Sequence, residues 1–182
     1  MLNAAIIGLG WWGKTLARAA RSGGEIAIVA GATGRRALAE DFAAEQGFDL
    51  LDSYEEVLAD PRVEAVILAT PHLDHEAQMI AAARAGKHIF AEKPFTMTRA
   101  SAEAAVAAIR TAGVTVGLGH NRRFHPHMAD LRARWSGDPA PTPVETRLLS
   151  ALTAARRGRS MLEVDQAETR TRRGLSQLLR LG

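Results

Sequence analysis

Five short apolar runs, each followed by a stretch with helical patterning, constrain this chain more than any other feature. They are Ala4-Ala5-Ile6-Ile7, Ile26-Ala27-Ile28-Val29-Ala30, 63–69, His88-Ile89-Phe90-Ala91 and Val114-Thr115-Val116-Gly117-Leu118. Strands that are apolar on both faces need cover on both sides, and intervening helices supply it. The segments between them read as helices at 14–21, 35–46, 74–84 and 98–111, with a short one starting at Ser53 and ending before Pro61. Their ends carry the expected signals: Ser22-Gly23-Gly24, Gly47 and Gly86 as stops, and Ser53 with Glu56 at capping-box spacing. The expectation is an α/β fold with a doubly wound parallel sheet and right-handed crossovers. Such a sheet binds ligands beyond the carboxyl ends of its strands, where every motif discussed below falls.

The first of those ends carries Gly8-Leu9-Gly10-Trp11-Trp12-Gly13, between the opening strand and a helix. Gly8 permits the tight turn, Gly10 lets backbone N–H groups approach a diphosphate, and Gly13 allows close packing of helix on sheet. The helix N-terminus offers partial positive charge to the phosphates. Trp11 and Trp12 occupy the variable positions, Trp11 as a shield for the ligand and Trp12 mainly as packing. About 20 residues beyond these glycines, an NAD site usually places a carboxylate on the adenosine ribose. Here the segment reads Ala30-Gly31-Ala32-Thr33-Gly34-Arg35-Arg36, with no Asp or Glu between Glu25 and Glu40. Without that carboxylate a 2′-phosphate meets no repulsion, and Thr33, Arg35 and Arg36 are donors for it. NAD(P) is therefore the expected cofactor, with NADP slightly favoured over NAD.

Composition removes several alternatives. The sequence contains no Cys, so disulfides, thiolate metal sites and cysteine nucleophiles are excluded, and no His/Asp/Glu cluster has metal-ligand spacing. No apolar run approaches the roughly 18 residues needed to span a bilayer, and the start enters a strand directly. A cytoplasmic protein is expected. The pI of 9.9 arises at the C-terminal end, where the residues from Gly137 hold eight Arg against five acidic side chains. That stretch lacks aromatic residues, so nucleic-acid binding is not expected.

Further along lie Ala69-Thr70-Pro71 with His75, then Gly86-Lys87-His88, Ala91-Glu92-Lys93-Pro94 and Gly119-His120-Asn121-Arg122-Arg123-Phe124. With the glycine fingerprint, these motifs resemble in order and spacing the glucose-fructose oxidoreductase, inositol dehydrogenase and rhizopine-catabolism (Gfo/Idh/MocA) family, over residues 1 to about 135. The resemblance implies a Rossmann NAD(P)-binding fold and hydride transfer between nicotinamide and a sugar, cyclitol or related carbonyl compound. It implies that Thr70 and Pro71 border the cofactor and that Glu92 and Lys93 lie by the nicotinamide ribose. Asn121 and Arg122 would line the nicotinamide side, and His75 would touch the ligand or cap its helix. Lys93 would be the catalytic group, hydrogen-bonding the reacting oxygen or supporting proton transfer. Pro94 is often cis in this family, and His72 stands where it frequently has Asn.

The expected organisation is a Rossmann domain at 1–125, a helix at 126–136, and a Pro/Arg-rich tail, irregular or helical, at 137–182. The resemblance also implies a second domain carrying Gly-Gly and Asp-x-x-x-His motifs, which this sequence does not contain; its last histidine is His127. The tail is Pro-interrupted and free of aromatic residues, a composition expected of a truncated or aberrant segment, even one read in a shifted frame. The chain alone is accordingly expected to be weakly active or inactive, with a non-catalytic redox sensor or interaction module as the alternative. A sheet face left uncovered by that domain would favour self-association or a partner chain.

Overall fold

The computed structural model describes residues 1–125, together with Met128, Asp130 and Ala133. The chain divides into a compact unit, Met1–Asp130, and a second, Leu131–Gly182. The helix expected at 126–136, apart from those three residues, and the tail expected at 137–182 lie outside the described residues.

Six strands form one parallel sheet: β1 (Leu2–Ile7), β2 (Ile26–Ala32), β3 (Asp49–Leu50), β4 (Ala65–Leu68), β5 (His88–Glu92) and β6 (Val116–Gly119). Their order is β3-β2-β1-β4-β5-β6, so the direction of winding reverses between β1 and β4. This is the doubly wound Rossmann arrangement, and the reversal opens a crevice at the carboxyl ends of the central strands. Among the described residues the flanking helices are α1 (Trp11–Gly23), α2 (Glu40–Gln46), α3 (Tyr54–Ala59), α4 (His75–Arg84) and α5 (Arg99–Ala112).

The two sheet faces bury separate apolar clusters. Ala4, Ile6, Ala65 and Ile67 pack with Ala17 of α1 and Phe42 and Ala43 of α2. Ala5, Ile7, Val66, Leu68, Ile89 and Ala91 pack with Val57 of α3, Met79, Ala82 and Ala83 of α4, and Ala105 and Ile109 of α5. Alanine on both sides brings helices and sheet close together. The cover is uneven. Phe90 shares the α1–α2 face, being in register with Ile67, and is 36% exposed.

Helix ends follow the sequence signals. Ser53 accepts from the Glu56 N–H at 3.1 Å, Thr98 and Ser101 form a reciprocal box, and Gly24, Gly47 and Gly113 close α1, α2 and α5 in the left-handed conformation.

Two expectations need correction. The helix expected across 35–46 is broken into a 3₁₀ turn at Arg36–Leu38 and then α2, the backbone departing from helical geometry at Ala39 (φ −117°), where Lys14 Nζ also reaches the Leu38 carbonyl at 2.7 Å. The two-residue β3 was not expected as a strand at all; it is too short to show any periodicity, and only its pairing with Ala30 and Gly31 defines it.

Met79 lies fully buried between sheet and helices. Met79→Ala should cost about 2–5 kcal/mol in urea unfolding, whereas Leu38→Ala, at an exposed position, should change stability by no more than about 0.5 kcal/mol.

Candidate functional site

The opening turn is built by steric necessity at two glycines and by none at a third. Gly8 adopts φ +87°, and a Cβ there would lie 2.7 Å from the Ala69 carbonyl oxygen. A Cβ on Gly13 would fall 1.9 Å from the Gly8 carbonyl oxygen, so α1 rests its backbone directly on the turn. At Gly10 a Cβ would meet nothing within 4 Å. No protein atom requires glycine there, and the open space lies over the backbone N–H groups that begin α1. Gly10 caps that helix with extended backbone, no side chain caps it, and its first turn holds no acidic residue. Those donors are thus left for an anion.

Two clefts meet at Ala69 and Thr70. One, of about 610 Å³, runs from Gly8 and Gly10 past Ala32, Thr33, Gly34 and Arg35 to Asp52, Tyr54, Pro71 and Gln78. The other, of about 840 Å³, is walled by Trp11, Trp12, His72, Glu92, Lys93, Asn121 and Arg122, with His120, Arg123 and Met128. Together they make a groove along the carboxyl ends of the strands. The lengthwise arrangement fits a dinucleotide, with its diphosphate over Gly10 and a base at either end.

A chain of hydrogen bonds holds the groove floor. The Tyr54 hydroxyl donates to the Gln78 carbonyl at 2.8 Å, and Thr70 Oγ1 donates to Gln78 Oε1 at 2.5 Å. Burial, followed by the nearby Glu55 charge, pushes the Tyr54 phenol well above its ordinary pKa, so it remains a donor. His75 is fully buried, with Nδ1 at 2.8 Å from the Pro94 carbonyl and Nε2 at 3.3 Å from the Thr70 carbonyl. Both partners are acceptors, so which ring nitrogen donates depends on the tautomer, and the shorter contact favours Nδ1–H toward Pro94. Both nitrogens are turned to backbone, so His75 braces the Thr70 and Pro94 loops. The direct ligand contact expected of it is not what the geometry provides. The Lys93–Pro94 peptide is cis.

Lys93 is exposed in the second cleft, and its ammonium has no partner among the described residues. Beside it, Glu92 is 7% exposed; its Oε2 accepts from the Lys93 backbone N–H at 3.3 Å, while Oε1 is buried without a partner. Gly119 makes room for this carboxylate, since a Cβ there would lie 2.5 Å from Oε1. Trp12 Nε1 is likewise buried and unpaired. Trp11 stands 79% exposed, its ring 5.4 Å from that of Trp12. Asn121 and Arg122 enter on the 3₁₀ turn after β6. Among the described residues, no group of three or more His, Asp or Glu side chains is placed to hold a metal, and no helix is long and apolar enough to cross a membrane.

At the other end, Thr33 and Arg35 line the cleft, but Arg36 does not. Its guanidinium turns to Asp52 Oδ1 at 2.5 Å and Glu40 Oε1 at 3.4 Å. Asp52, Tyr54 and Gln78 were missed as lining residues. Tyr54 carried a signal, being the sole tyrosine; Asp52 carried none, because β3 places it.

A family model described as an oxidoreductase family with an NAD-binding Rossmann fold matches residues 2–120. The chain belongs to that family. It is 36% identical over 132 residues to a 1,5-anhydro-D-fructose reductase of Ensifer adhaerens, covering 72% of this chain and 39% of that protein. It is 39% identical over 108 residues to a scyllo-inositol 2-dehydrogenase (NAD(+)) of Bacillus subtilis, covering 58% of this chain and 31% of the relative. The chain thus spans well under half of these Gfo/Idh/MocA relatives. Among solved structures, KijD10, a 3-ketoreductase from Actinomadura kijaniata in complex with NADP and TDP-benzene, superposes with a TM-score of 0.69. The identity is 27%, over 74% of this chain and 42% of that one.

Gly13→Ala should abolish folding by circular dichroism, because two backbone segments would have to separate. Gly10→Ala should fold with an unchanged melting temperature.

Proposed function

We propose that residues 1–125 form a domain that binds NAD(P) along this groove, and that the protein works as an oxidoreductase on a sugar or cyclitol. The observation that carries the reading is Gly10. It is the one glycine of the fingerprint that the fold itself does not require, at the point where unpaired helix N–H groups face open space.

In this reading Gly8, Gly10 and Gly13 shape the diphosphate cradle, and the N–H groups of Trp11 and Trp12 complete it. Thr70 and Pro71 border the middle of the cofactor. Glu92, Asn121 and Arg122 frame the nicotinamide end, where the bound dinucleotide supplies the hydride donor or acceptor. Lys93 presents its ammonium to the oxygen of the reacting carbon and holds or releases a proton there. Thr33 and Arg35 favour NADP modestly, as donors to a 2′-phosphate beside a strand end that lacks an acidic residue. His75 serves the site at second hand, by fixing the loops that carry Thr70 and Lys93.

The chain by itself is proposed to hold the cofactor without efficient turnover, since holding a dinucleotide does not by itself orient a substrate or supply its proton transfer. A cytoplasmic location, and association of the half-exposed Phe90 face with a second copy or a partner chain, belong to the same reading.

Calorimetry with NADPH and NADH tests the proposal directly. Binding of both is expected, NADPH about twofold to threefold tighter, with affinity falling at least about tenfold in Gly10→Ala. Failure of both dinucleotides to bind would end the reading. Binding without turnover of any sugar or inositol, even when paired with a separate substrate-binding chain, would favour the redox-sensor alternative.

A further inference from the structure

Asp52 lines the same cleft as Thr33, Gly34 and Arg35, yet it comes from a different strand end. Its placement is not accidental to the local fold. The Asp52 backbone N–H donates to Glu56 Oε2 at 3.1 Å, and Ser53 Oγ accepts from the Glu56 N–H at 3.1 Å. The start of α3 therefore pins the residue. Its carboxylate faces Arg36, whose Nη1 stands 2.5 Å from Asp52 Oδ1 and whose Nε stands 3.4 Å from Glu40 Oε1. Arg36 is bracketed by two acidic groups and withheld from the cleft.

We infer that Asp52 sets the choice between NADP and NAD by keeping Arg36 occupied. The inference rests on the dinucleotide reading above and adds to it a residue outside the strand-end segment that normally makes this choice. The chemistry is a competition for one guanidinium. A 2′-phosphate brings about two negative charges to this end of the cleft and requires donors. It must approach the Asp52 carboxylate and draw Arg36 out of its ion pair before it gains that donor. A 2′-hydroxyl has no such need, and it can donate to the carboxylate. Both members of the pair are substantially solvent-exposed, 46% for Arg36 and 77% for Asp52, so the contact can open without disturbing the core. Arg35 and Thr33 remain available throughout, which leaves a preference for NADP that is narrow rather than absent.

The test compares the affinities of the unmodified 182-residue chain, Asp52→Asn and Asp52→Ser by calorimetry. The probes are NADPH and NADH, with 2′,5′-ADP against 5′-AMP to isolate the adenosine end. Both variants should raise the NADPH-to-NADH affinity ratio by about tenfold, an effect that weakens with added salt. The 2′,5′-ADP-to-5′-AMP ratio should rise in parallel. Adding Arg36→Ala to Asp52→Asn should give back most of that gain, the remainder being relief of the Asp52 charge itself. An unchanged ratio in folded Asp52→Asn and Asp52→Ser overturns the inference while leaving the dinucleotide reading intact. A gain that persists in full without Arg36 overturns it too. If the unmodified chain binds neither dinucleotide, the underlying reading has failed instead.

Discussion

The first turn of α1 lies backbone against backbone on the loop that follows β1, and the rest of the groove depends on this contact. It exists only because position 13 has no side chain, the Gly8 carbonyl occupying the space a Cβ would need. The contact fixes where α1 begins and points its unpaired N–H groups across the crevice between β1 and β4. Gly8 meets the Ala69 backbone on the other side, so the helix start, the first strand and the fourth strand are locked as one unit. Two such close approaches leave little freedom in the position of the uncapped amides that begin α1. The open space at Gly10 is the product of that rigidity.

The two clefts form one groove because the loops on either side of Ala69 and Thr70 are held from beneath. Tyr54, Gln78 and Thr70 tie α3 to the end of β4, and His75 carries the tie onward to the Pro94 carbonyl after β5. Lys93 sits one residue before that carbonyl. A buried imidazole thus positions the candidate catalytic amine without approaching it. Near Lys93 the arrangement is asymmetric, with one carboxylate oxygen of Glu92 engaged by backbone and the other buried without a partner among the described residues. A buried polar atom without a partner is costly, and such atoms are concentrated where a ligand is meant to arrive.

Legibility in the sequence tracked the range of the interactions involved. The five apolar runs, the Ser53 cap and the glycine stops are local patterns, and all of them correspond to elements of the structure. The glycine fingerprint was readable from its spacing between a strand and a helix, although Gly8 is also constrained by the distant Ala69 backbone and Gly10 by no protein atom. What escaped reading depends on contacts distant in sequence. At the helix break the Leu38 carbonyl is met by Lys14, 24 residues earlier, and β3 exists only through its pairing with β2. Arg36 belonged, by adjacency, with Arg35; a carboxylate 16 residues on gives it a different direction. His75 could be read as a helix cap or a ligand contact, and only its burial and two carbonyl partners show it to be a brace.

Trp11, almost wholly open to solvent at the lip of the larger cleft, gives the molecule a built-in optical gauge. If the proposed dinucleotide puts a reduced pyridine ring in that cleft, an excited indole there would pass its energy to it, dimming its own emission and lighting the acceptor. Under the proposed dinucleotide reading, occupancy of the groove would be written into the protein's intrinsic fluorescence, without a label.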